Sequence, residues 1–286
     1  MKRFGAIEAG GTKFVCGVGT GPDDLVTTTI LTTSPEETLS QVTAFFNGQS
    51  VAAIGIGSFG PVDLNPSSAK YGYITSTPKA GWRDTDLVGA VKRAIGVRVA
   101  FDTDVNAAAL GEARWGAAID ARNCVYITVG TGIGGGSIIE GLLAHGAAHP
   151  EMGHMRLPHD LEADPFPGCC PFHGDCLEGL ASGFAIQKRW GVTGDTLPLD
   201  HPAWKLESRY LALAVANLAF VLSPEVVILG GGVMKKDGLL DCITSEVSRL
   251  LNGYIPAPAI VAPALAGRSG VLGALVLAAR MTCPNG

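Results

Sequence analysis

The chain has 286 residues, of which 47% are hydrophobic and only 16% are charged, a balance that excludes an intrinsically disordered protein. At about 150 residues per domain, this length predicts two domains. The net charge of −5 without a basic stripe argues against a nucleic-acid partner, and the lack of a signal peptide or of a run of about 20 apolar residues predicts a cytoplasmic protein with no membrane partner.

The first 115 residues predict strands and helices in succession. Two apolar strands flank Gly10-Gly11-Thr12, a composition typical of a tight turn. Ser34-Pro35 is a typical helix start, because serine caps the helix and proline fits its first turn. Strands are predicted at 4–9, 13–18, 25–33, 51–57 and 97–101, and helices at 34–47, 87–95 and 106–115.

The second half of the sequence restarts the same pattern. A strand at 124–129, a glycine loop at 130–136 and a strand at 137–140 repeat the layout of the first twenty residues. This half-repeat of mixed strands and helices predicts an α/β protein with an active cleft between two lobes. The remaining predictions are an irregular segment at 150–178, helices at 180–190, 206–222, 239–250 and 270–281, and a strand at 225–229.

Three glycine loops, at 10–13, 130–135 and 230–232, each follow an apolar strand. Glycine lets backbone N–H groups approach an anion closely. One such loop alone is typical of a hairpin turn, whereas three of them favour phosphate binding. Gly130, Gly132 and Gly135 also have the spacing of a dinucleotide-binding motif, but the next segment is predicted as a strand rather than a helix, so an oxidoreductase is the weaker alternative.

The segment Asp102-Thr103-Asp104 joins a predicted strand to a predicted helix. Phosphoryl transfer to an alcohol needs a carboxylate that accepts the hydroxyl proton, and the end of a strand is a suitable place for one. Asp104 is the candidate for this general base. The alternative is that Asp104 only caps the helix that follows, and this segment alone does not decide between them.

Cysteine and histidine residues with metal-ligand spacing lie in the irregular segment. Cys170, His173 and Cys176 form a Cys-x2-His-x2-Cys pattern, and His154 lies upstream. Two sulfur and two nitrogen ligands suit tetrahedral Zn²⁺, and four protein ligands predict a structural rather than a catalytic site. Cys169 is the alternative to Cys170 as the first cysteine ligand.

Together these motifs resemble the ROK family of sugar kinases and, within it, the zinc-containing bacterial fructokinases. Glu8 departs from the family pattern, because related kinases commonly carry aspartate there, and its contact with Mg²⁺ is left open. Thr103 and His173 replace the asparagine and the cysteine common in the glucokinase branch, which favours a fructokinase. The matching segments lie at 7–13, 57–63, 102–108, 128–135, 149–154, 170–178 and 230–234.

The resemblance implies a two-lobed actin-like ATPase (ribonuclease H-like) fold of the α/β class with a central cleft. The N-terminal lobe would contain residues 1–115 and a C-terminal helix at 268–286, and the larger lobe would contain residues 116–267 with the zinc segment. The implied cofactors are ATP, Mg²⁺ and Zn²⁺. The implied partners are a small-molecule sugar and a second copy of the chain in a homodimer.

The resemblance also implies a role for each candidate residue, with Asp104 as the catalytic base. The expected nucleotide contacts are Gly10, Gly11, Thr12, Lys13, Thr131, Gly132 and Gly134 at the phosphates, Gly230, Gly231, Gly232, Val233 and Met234 at the adenosine, and Gly183 at the border of the site. The expected sugar contacts are Gly60, Pro61, Asp104, Glu151, His154 and Glu178. The expected zinc ligands are His154, Cys170, His173 and Cys176.

The expected reaction is ATP-dependent phosphorylation of the primary hydroxyl of a hexose, with D-fructose converted to fructose 6-phosphate as the favoured case. The alternatives are a glucokinase, another hexose or N-acetylhexosamine kinase, and a sugar sensor without catalysis. Release of ADP would separate the enzymes from the sensor. The presence of Asp104 together with the phosphate loops counts against the sensor.

Overall fold

The computed structural model describes residues 2–282. The chain divides into two compact units. The first contains residues 2–119, 143–150 and 264–282, and the second contains residues 120–142 and 151–263. The segment 143–150 thus belongs to the first unit, whereas the sequence analysis assigned it to the larger lobe. Positions 283–286 of the expected C-terminal segment lie outside the described residues.

Strands and helices follow one another along both units. The strands are β1 (Phe4–Ala9), β2 (Lys13–Gly19), β3 (Val26–Leu31), β4 (Ala53–Ser58), β5 (Tyr73–Ile74), β6 (Thr85–Asp86), β7 (Arg98–Thr103), β8 (Cys124–Val129), β9 (Ile133–Ile139), β10 (Leu142–Leu143), β11 (Val226–Gly230) and β12 (Ala259–Val261). The helices are α1 (Pro35–Phe46), α2 (Leu87–Ile95), α3 (Asp104–Trp115), α4 (Leu177–Ala181), α5 (Gly183–Trp190), α6 (Ala203–Leu222), α7 (Leu239–Leu251) and α8 (Ser269–Arg280).

The first unit is built on a five-stranded sheet with the order β3-β2-β1-β4-β7. Strands β1, β2 and β3 are antiparallel, whereas β1, β4 and β7 run parallel to one another. The register aligns Ala9 with Ser58, and Ser58 with Thr103. The three parallel strands therefore end at one edge of the sheet, where the first glycine loop, Gly60-Pro61 and Asp104 follow them.

Alternating side chains of this sheet face two different layers of helices. Ile7 on β1 packs in a core with Phe46 of α1 and Leu87 of α2. Its neighbour Ala6 instead packs against Val271 of α8. Because successive strand residues point to opposite faces, one apolar strand is buried on both sides.

Helices α3 and α8 of the first unit lie unusually close together. A Cβ on Gly273 of α8 would overlap the backbone of Ala107 in α3, and a Cβ on Gly111 would overlap the carbonyl of Ser269. Only glycine permits such an approach of two backbones. The glycines in these two helices therefore mark a packing interface.

The second unit repeats the architecture of the first. Its sheet has the order β10-β9-β8-β11-β12, in which β8 and β9 are antiparallel and β8, β11 and β12 are parallel. The predicted glycine loop at 130–136 is too long, because β9 already begins at Ile133 and contains three glycines. A Cβ on Gly135 would lie 2.7 Å from the sulfur of Met152, so this strand glycine serves packing.

The helices of the second unit agree with the sequence pattern except at one break. The predicted helix at 180–190 is two helices, α4 and α5, which separate at Ser182. The Ser182 hydroxyl accepts a hydrogen bond from the Ala185 N–H at 3.1 Å and so caps α5. Within residues 2–282, no helix combines the length and the apolar character needed to cross a bilayer.

Candidate active site and metal site

Asp104 is the first residue of α3, and β7 ends immediately before it. Thr103 is the residue that caps this helix, since its hydroxyl accepts a hydrogen bond from the Asn106 N–H at 3.1 Å. The carboxylate of Asp104 is thus not needed as the cap. It accepts a hydrogen bond from the Val105 N–H at 2.9 Å, and a negative charge at a helix N-terminus is stabilised by the helix dipole.

Glu8 on β1 is a second carboxyl group close to Asp104. Burial, and after it the negative charge of Asp104, raise the pKa of Glu8 to about 7, while Lys13 acts in the opposite direction. Among the described residues, its Oε2 atom is buried without a hydrogen-bond partner. Glu8 is therefore partly protonated near neutral pH, which limits the repulsion between the two carboxyl groups.

The first glycine loop, residues 10–13, is the turn between β1 and β2. The Gly10 N–H donates to the carbonyl of Lys13 at 3.0 Å, and the hydroxyl of Thr32 donates to the carbonyl of Gly10 at 2.7 Å. These bonds fix the ends of the turn, while no heavy atom of residues 2–282, apart from Gly11 and its two chain neighbours, lies within 4 Å of a Cβ built on Gly11. The turn therefore leaves open space beside Gly11, as a phosphate-binding loop requires.

The second glycine loop joins β8 to β9 and is held by the α4–α5 segment. The carbonyl of Gly130 accepts a hydrogen bond from the Gly183 N–H at 2.7 Å. Glu178, expected at the sugar, accepts a hydrogen bond from the Ile133 N–H at 3.0 Å through Oε2. A Cβ on Gly132 would lie 2.5 Å from that oxygen. One carboxylate oxygen of Glu178 thus holds this loop in its conformation.

The third glycine loop follows β11 in the second unit. Gly231 has a φ of +97°, and a Cβ there would overlap the backbone of Val129, so this position requires glycine. Gly230, Gly231 and Gly232 lead into a short 3-10 turn at 233–235, which contains Val233 and Met234. A cavity of about 740 Å³ is lined by four of the expected nucleotide residues, Thr131, Gly183, Gly232 and Val233, together with Gly130.

The same cavity contains side chains that the sequence analysis did not identify. Trp204 of α6 and Lys236 both line it, with the Lys236 ammonium 4.5 Å from the centre of the indole ring. The ammonium also donates to the carbonyl of Leu197 at 2.6 Å, which fixes the lysine. Trp204 is distant in sequence from the glycine loops, whereas Lys236 follows Gly232 by four positions, and no local motif connects the two side chains.

The expected sugar-binding residues are distributed over both units. Gly60, Pro61 and Asp104 belong to the first unit, whereas Glu151, His154 and Glu178 belong to the second. Within the first unit, a Cβ on Gly60 would lie 3.7 Å from the imidazole of His149. This glycine therefore has a close neighbour that the sequence motifs did not indicate.

The four expected metal ligands converge in the second unit. His154, Cys170, His173 and Cys176 place one ligand atom each within 4.8 Å of all the others. The Nδ1 atoms of the two histidines are 3.2 Å apart, and the sulfur of Cys170 lies 3.7 Å from each of them. Within residues 2–282, Cys170 rather than Cys169 belongs to this group. The cluster is a candidate metal site.

A buried ionic network lies close to this metal cluster in sequence. The guanidinium of Arg189 donates two hydrogen bonds to Asp164, at 3.0 and 3.1 Å, and the hydroxyl of Tyr210 donates to the same carboxylate at 2.6 Å. His159 bridges Asp164 and Asp175, the residue before Cys176. The network thus connects α5 and α6 to the segment that carries the metal ligands.

Replacing Asp164 with asparagine is expected to lower the free energy of unfolding by about 3–5 kcal/mol, because the buried charge of Arg189 loses its partner. Glu207 is not expected to substitute for the lost carboxylate, since burial raises its pKa well above its usual range and so disfavours its charged form. Urea unfolding measures the change. Asp160→Asn, an exposed acid of the same segment, is the control, and a value for Asp164→Asn within 1 kcal/mol of that control contradicts the prediction.

The sequence matches known proteins over nearly its whole length. The model of the ROK family matches residues 4–281. A fructokinase from Lactococcus lactis subsp. cremoris is 46% identical over 259 residues, which cover 90% of this chain and 88% of the relative. The range 4–281 matched by the family model includes all the candidate nucleotide, sugar and metal residues described above.

Solved structures match the fold equally well. A ROK hexokinase from Thermus thermophilus has a TM-score of 0.83 at 28% identity, with 99% of this chain and 100% of that chain covered. A ROK family glucokinase from Streptomyces griseus, in complex with glucose and AMPPNP, has a TM-score of 0.79 at 29% identity, with 97% and 99% covered. These similarities confirm the expected actin-like ATPase fold.

Proposed function

The chain belongs to the ROK family, and from this membership we propose that it is an ATP-dependent fructokinase, which forms fructose 6-phosphate from D-fructose. The observation that carries the proposal is the 46% identity to a fructokinase along almost the entire chain. The glucokinase of known structure is only 29% identical. Thr103 and His173, which depart from the glucokinase pattern, support the same choice.

In the proposed reaction, Asp104 acts as the general base. Its carboxylate accepts the proton of the primary hydroxyl of fructose while that oxygen attacks the γ-phosphorus of ATP. The bond from the γ-phosphorus to the bridging oxygen breaks, and ADP leaves. Thr103 supports this role because its hydroxyl caps α3, so that the Asp104 carboxylate at the first turn is not needed for the cap.

The nucleotide is proposed to bind to the glycine loops of both units. The turns at residues 10–13 and 131–134 would contact the phosphates, and residues 230–234 would contact the adenosine. The cavity of about 740 Å³ beside Thr131 and Gly183 supports this assignment, because such a volume accommodates a nucleoside. Mg²⁺ bound to the ATP phosphates would neutralise charge on the transferred group.

We also propose that the Cys/His cluster holds Zn²⁺. With Zn–N bonds of about 2.0–2.1 Å and Zn–S bonds of about 2.3 Å, a tetrahedron separates two nitrogens by about 3.3 Å and nitrogen from sulfur by about 3.6 Å. The nitrogen–nitrogen distance of 3.2 Å and the nitrogen–sulfur distances of 3.5 and 3.7 Å fit these values. His154 and Cys170 would then fix the metal segment to the rest of the second unit.

Two further parts of the proposal depend on family membership. Glu151, His154 and Glu178 are proposed to bind the sugar hydroxyls together with Gly60 and Pro61 of the first unit. Carboxylate oxygens are acceptors, which suits the hydroxyl donors of a sugar. Family membership is also the reason for proposing a homodimer.

The deciding experiment measures ADP release from MgATP with fructose, mannose, glucose and N-acetylmannosamine, using protein saturated with zinc. We expect the highest kcat/KM with fructose. A higher kcat/KM with another of these sugars would keep the kinase and overturn the preference for fructose. Sugar binding without ADP release from any of them would overturn the kinase proposal and leave a sugar sensor.

A further inference from the structure

A short segment of the first unit, residues 143–150, carries two histidines that contact the ends of neighbouring parallel strands. We call it the histidine strap. At one end, the Nε2 atom of His149 accepts a hydrogen bond from the Val62 N–H at 3.1 Å, just after Gly60-Pro61. At the other end, the Nε2 atom of His145 lies 2.9 Å from Oδ2 of Asp102. The histidine strap therefore contacts the chain beside Gly60-Pro61 at one end and beside Asp104 at the other, and these residues are proposed sugar contacts.

Asp102 connects His145 to the helix that carries the proposed base. Its side chain is only 5% exposed, so its charge needs partners. Oδ1 accepts hydrogen bonds from the Thr103 N–H at 2.8 Å and from the Asn106 side-chain amide at 2.7 Å. The other carboxylate oxygen, Oδ2, pairs with the imidazole of His145. Thr103 caps α3, and Asn106 donates its N–H to the Thr103 hydroxyl. Asp102 thus ties the strap to the turn from which Asp104 extends.

The contact is accessible from a cavity of about 700 Å³ within the first unit. His145 and Asp102 line it, and the imidazole of His145 is 38% exposed. The other titratable side chains that line the cavity are Asp63, Tyr71 and His149. Asp102 is the group that raises the pKa of His145 above its usual range, first through their hydrogen bond and then through its charge, while burial acts in the opposite direction.

From this geometry we infer that His145 is a positioning residue for the sugar-side half of the reaction, because it holds Asp102 and thereby the start of α3. The effect that we infer on catalysis rests on the proposed kinase function. His145 lies outside the sequence motifs that indicated the active site. The nucleotide cavity of the second unit contains none of these residues, so ATP binding is expected to be insensitive to His145.

Because this role depends on the charge of His145, it predicts that kcat/KM changes with pH. A histidine whose pKa is raised in the folded protein is charged below that pKa and paired with Asp102. As pH rises through the raised pKa, the imidazole loses its charge and the ion pair disappears. The kcat/KM for fructose is therefore expected to decline on the alkaline side with the titration of His145.

The test compares wild type with His145→Gln and Asp102→Asn. In His145→Gln, we expect kcat/KM for fructose to fall by about 10-fold to 100-fold, as for a misplaced reacting group, while KM for ATP stays within about twofold. The alkaline decline assigned to His145 should be absent from its pH profile. His201→Gln, which changes a histidine of the second unit, is the matched control and should keep the wild-type profile.

A second measurement is independent of turnover. NMR titration of the imidazole of His145 in the intact protein without substrates should give a pKa above the usual 6.5, and a lower one in Asp102→Asn. An ordinary value in wild type overturns the pairing. An unchanged kcat/KM for fructose in His145→Gln overturns the positioning role. If wild type phosphorylates no hexose, the proposed function fails and with it the catalytic consequence, whereas the NMR result still decides whether Asp102 holds His145.

Discussion

Asp104→Asn is expected to lower kcat for fructose phosphorylation by about 10²-fold to 10⁴-fold, the usual contribution of a general base. Asparagine has the same shape but does not accept the hydroxyl proton. The fold should persist, because Thr103 caps α3 and an amide oxygen preserves the hydrogen bond from Val105. Steady-state kinetics measure kcat, and calorimetry measures the Kd for MgATP, which we expect to stay within about twofold.

The matched control for this substitution is Asp23→Asn, which changes an exposed aspartate of the same unit. It should leave kcat and the ATP affinity at wild-type values. A kcat of Asp104→Asn near that of wild type would show that another group accepts the proton. A large loss of ATP binding would instead show that Asp104 acts on the nucleotide.

Removal of the metal is expected to have the second large effect. Chelation, or the substitution Cys176→Ser, should lower the free energy of unfolding by about 4 kcal/mol, because a closed metal site contributes folding energy. For a protein of this size, this corresponds to a decrease in Tm of about 10 °C. Since His154 is both a proposed ligand and a proposed sugar contact, KM for fructose should also rise. Thermal unfolding with and without added zinc measures the change.

Cys169→Ser provides the control for the metal prediction, since Cys169 is adjacent to Cys170 and lies outside the cluster within residues 2–282. It should retain both the zinc content and the Tm of wild type. Elemental analysis of freshly purified protein should give one zinc per chain. Protein that is fully folded and contains no zinc would contradict the assignment.

The features that the sequence predicts well are those determined by neighbouring residues. The turns at Gly10-Gly11 and at Gly130 follow from glycine between two apolar strands, and both are hairpin turns in the structure. The helix start at Ser34-Pro35 follows from local capping, and Ser34 accepts the expected hydrogen bond from the Glu37 N–H. The metal cluster was also predictable, because three of its ligands lie within one short segment.

The features that the sequence does not predict depend on contacts between distant residues. His145 and Asp102 are 43 positions apart in the printed sequence, and no local pattern pairs them. The sequence does not predict the ion pair of Asp164 and Arg189 for the same reason. The glycines of β9 were assigned to a loop from composition alone, since the side chain of Met152, which requires Gly135, comes from a later segment.

The close packing of α8 on α3 has a consequence for the order in which the protein can be completed during synthesis. Helix α3 leaves the ribosome early, yet the helix that covers it, with Gly273 against Ala107, is made more than 150 residues later. The apolar face of β1 and β4 on that side stays uncovered until then. The second unit, whose described segments all precede residue 264, is complete first. The first unit therefore remains incomplete, with part of its apolar surface exposed, until its last helix has been synthesised.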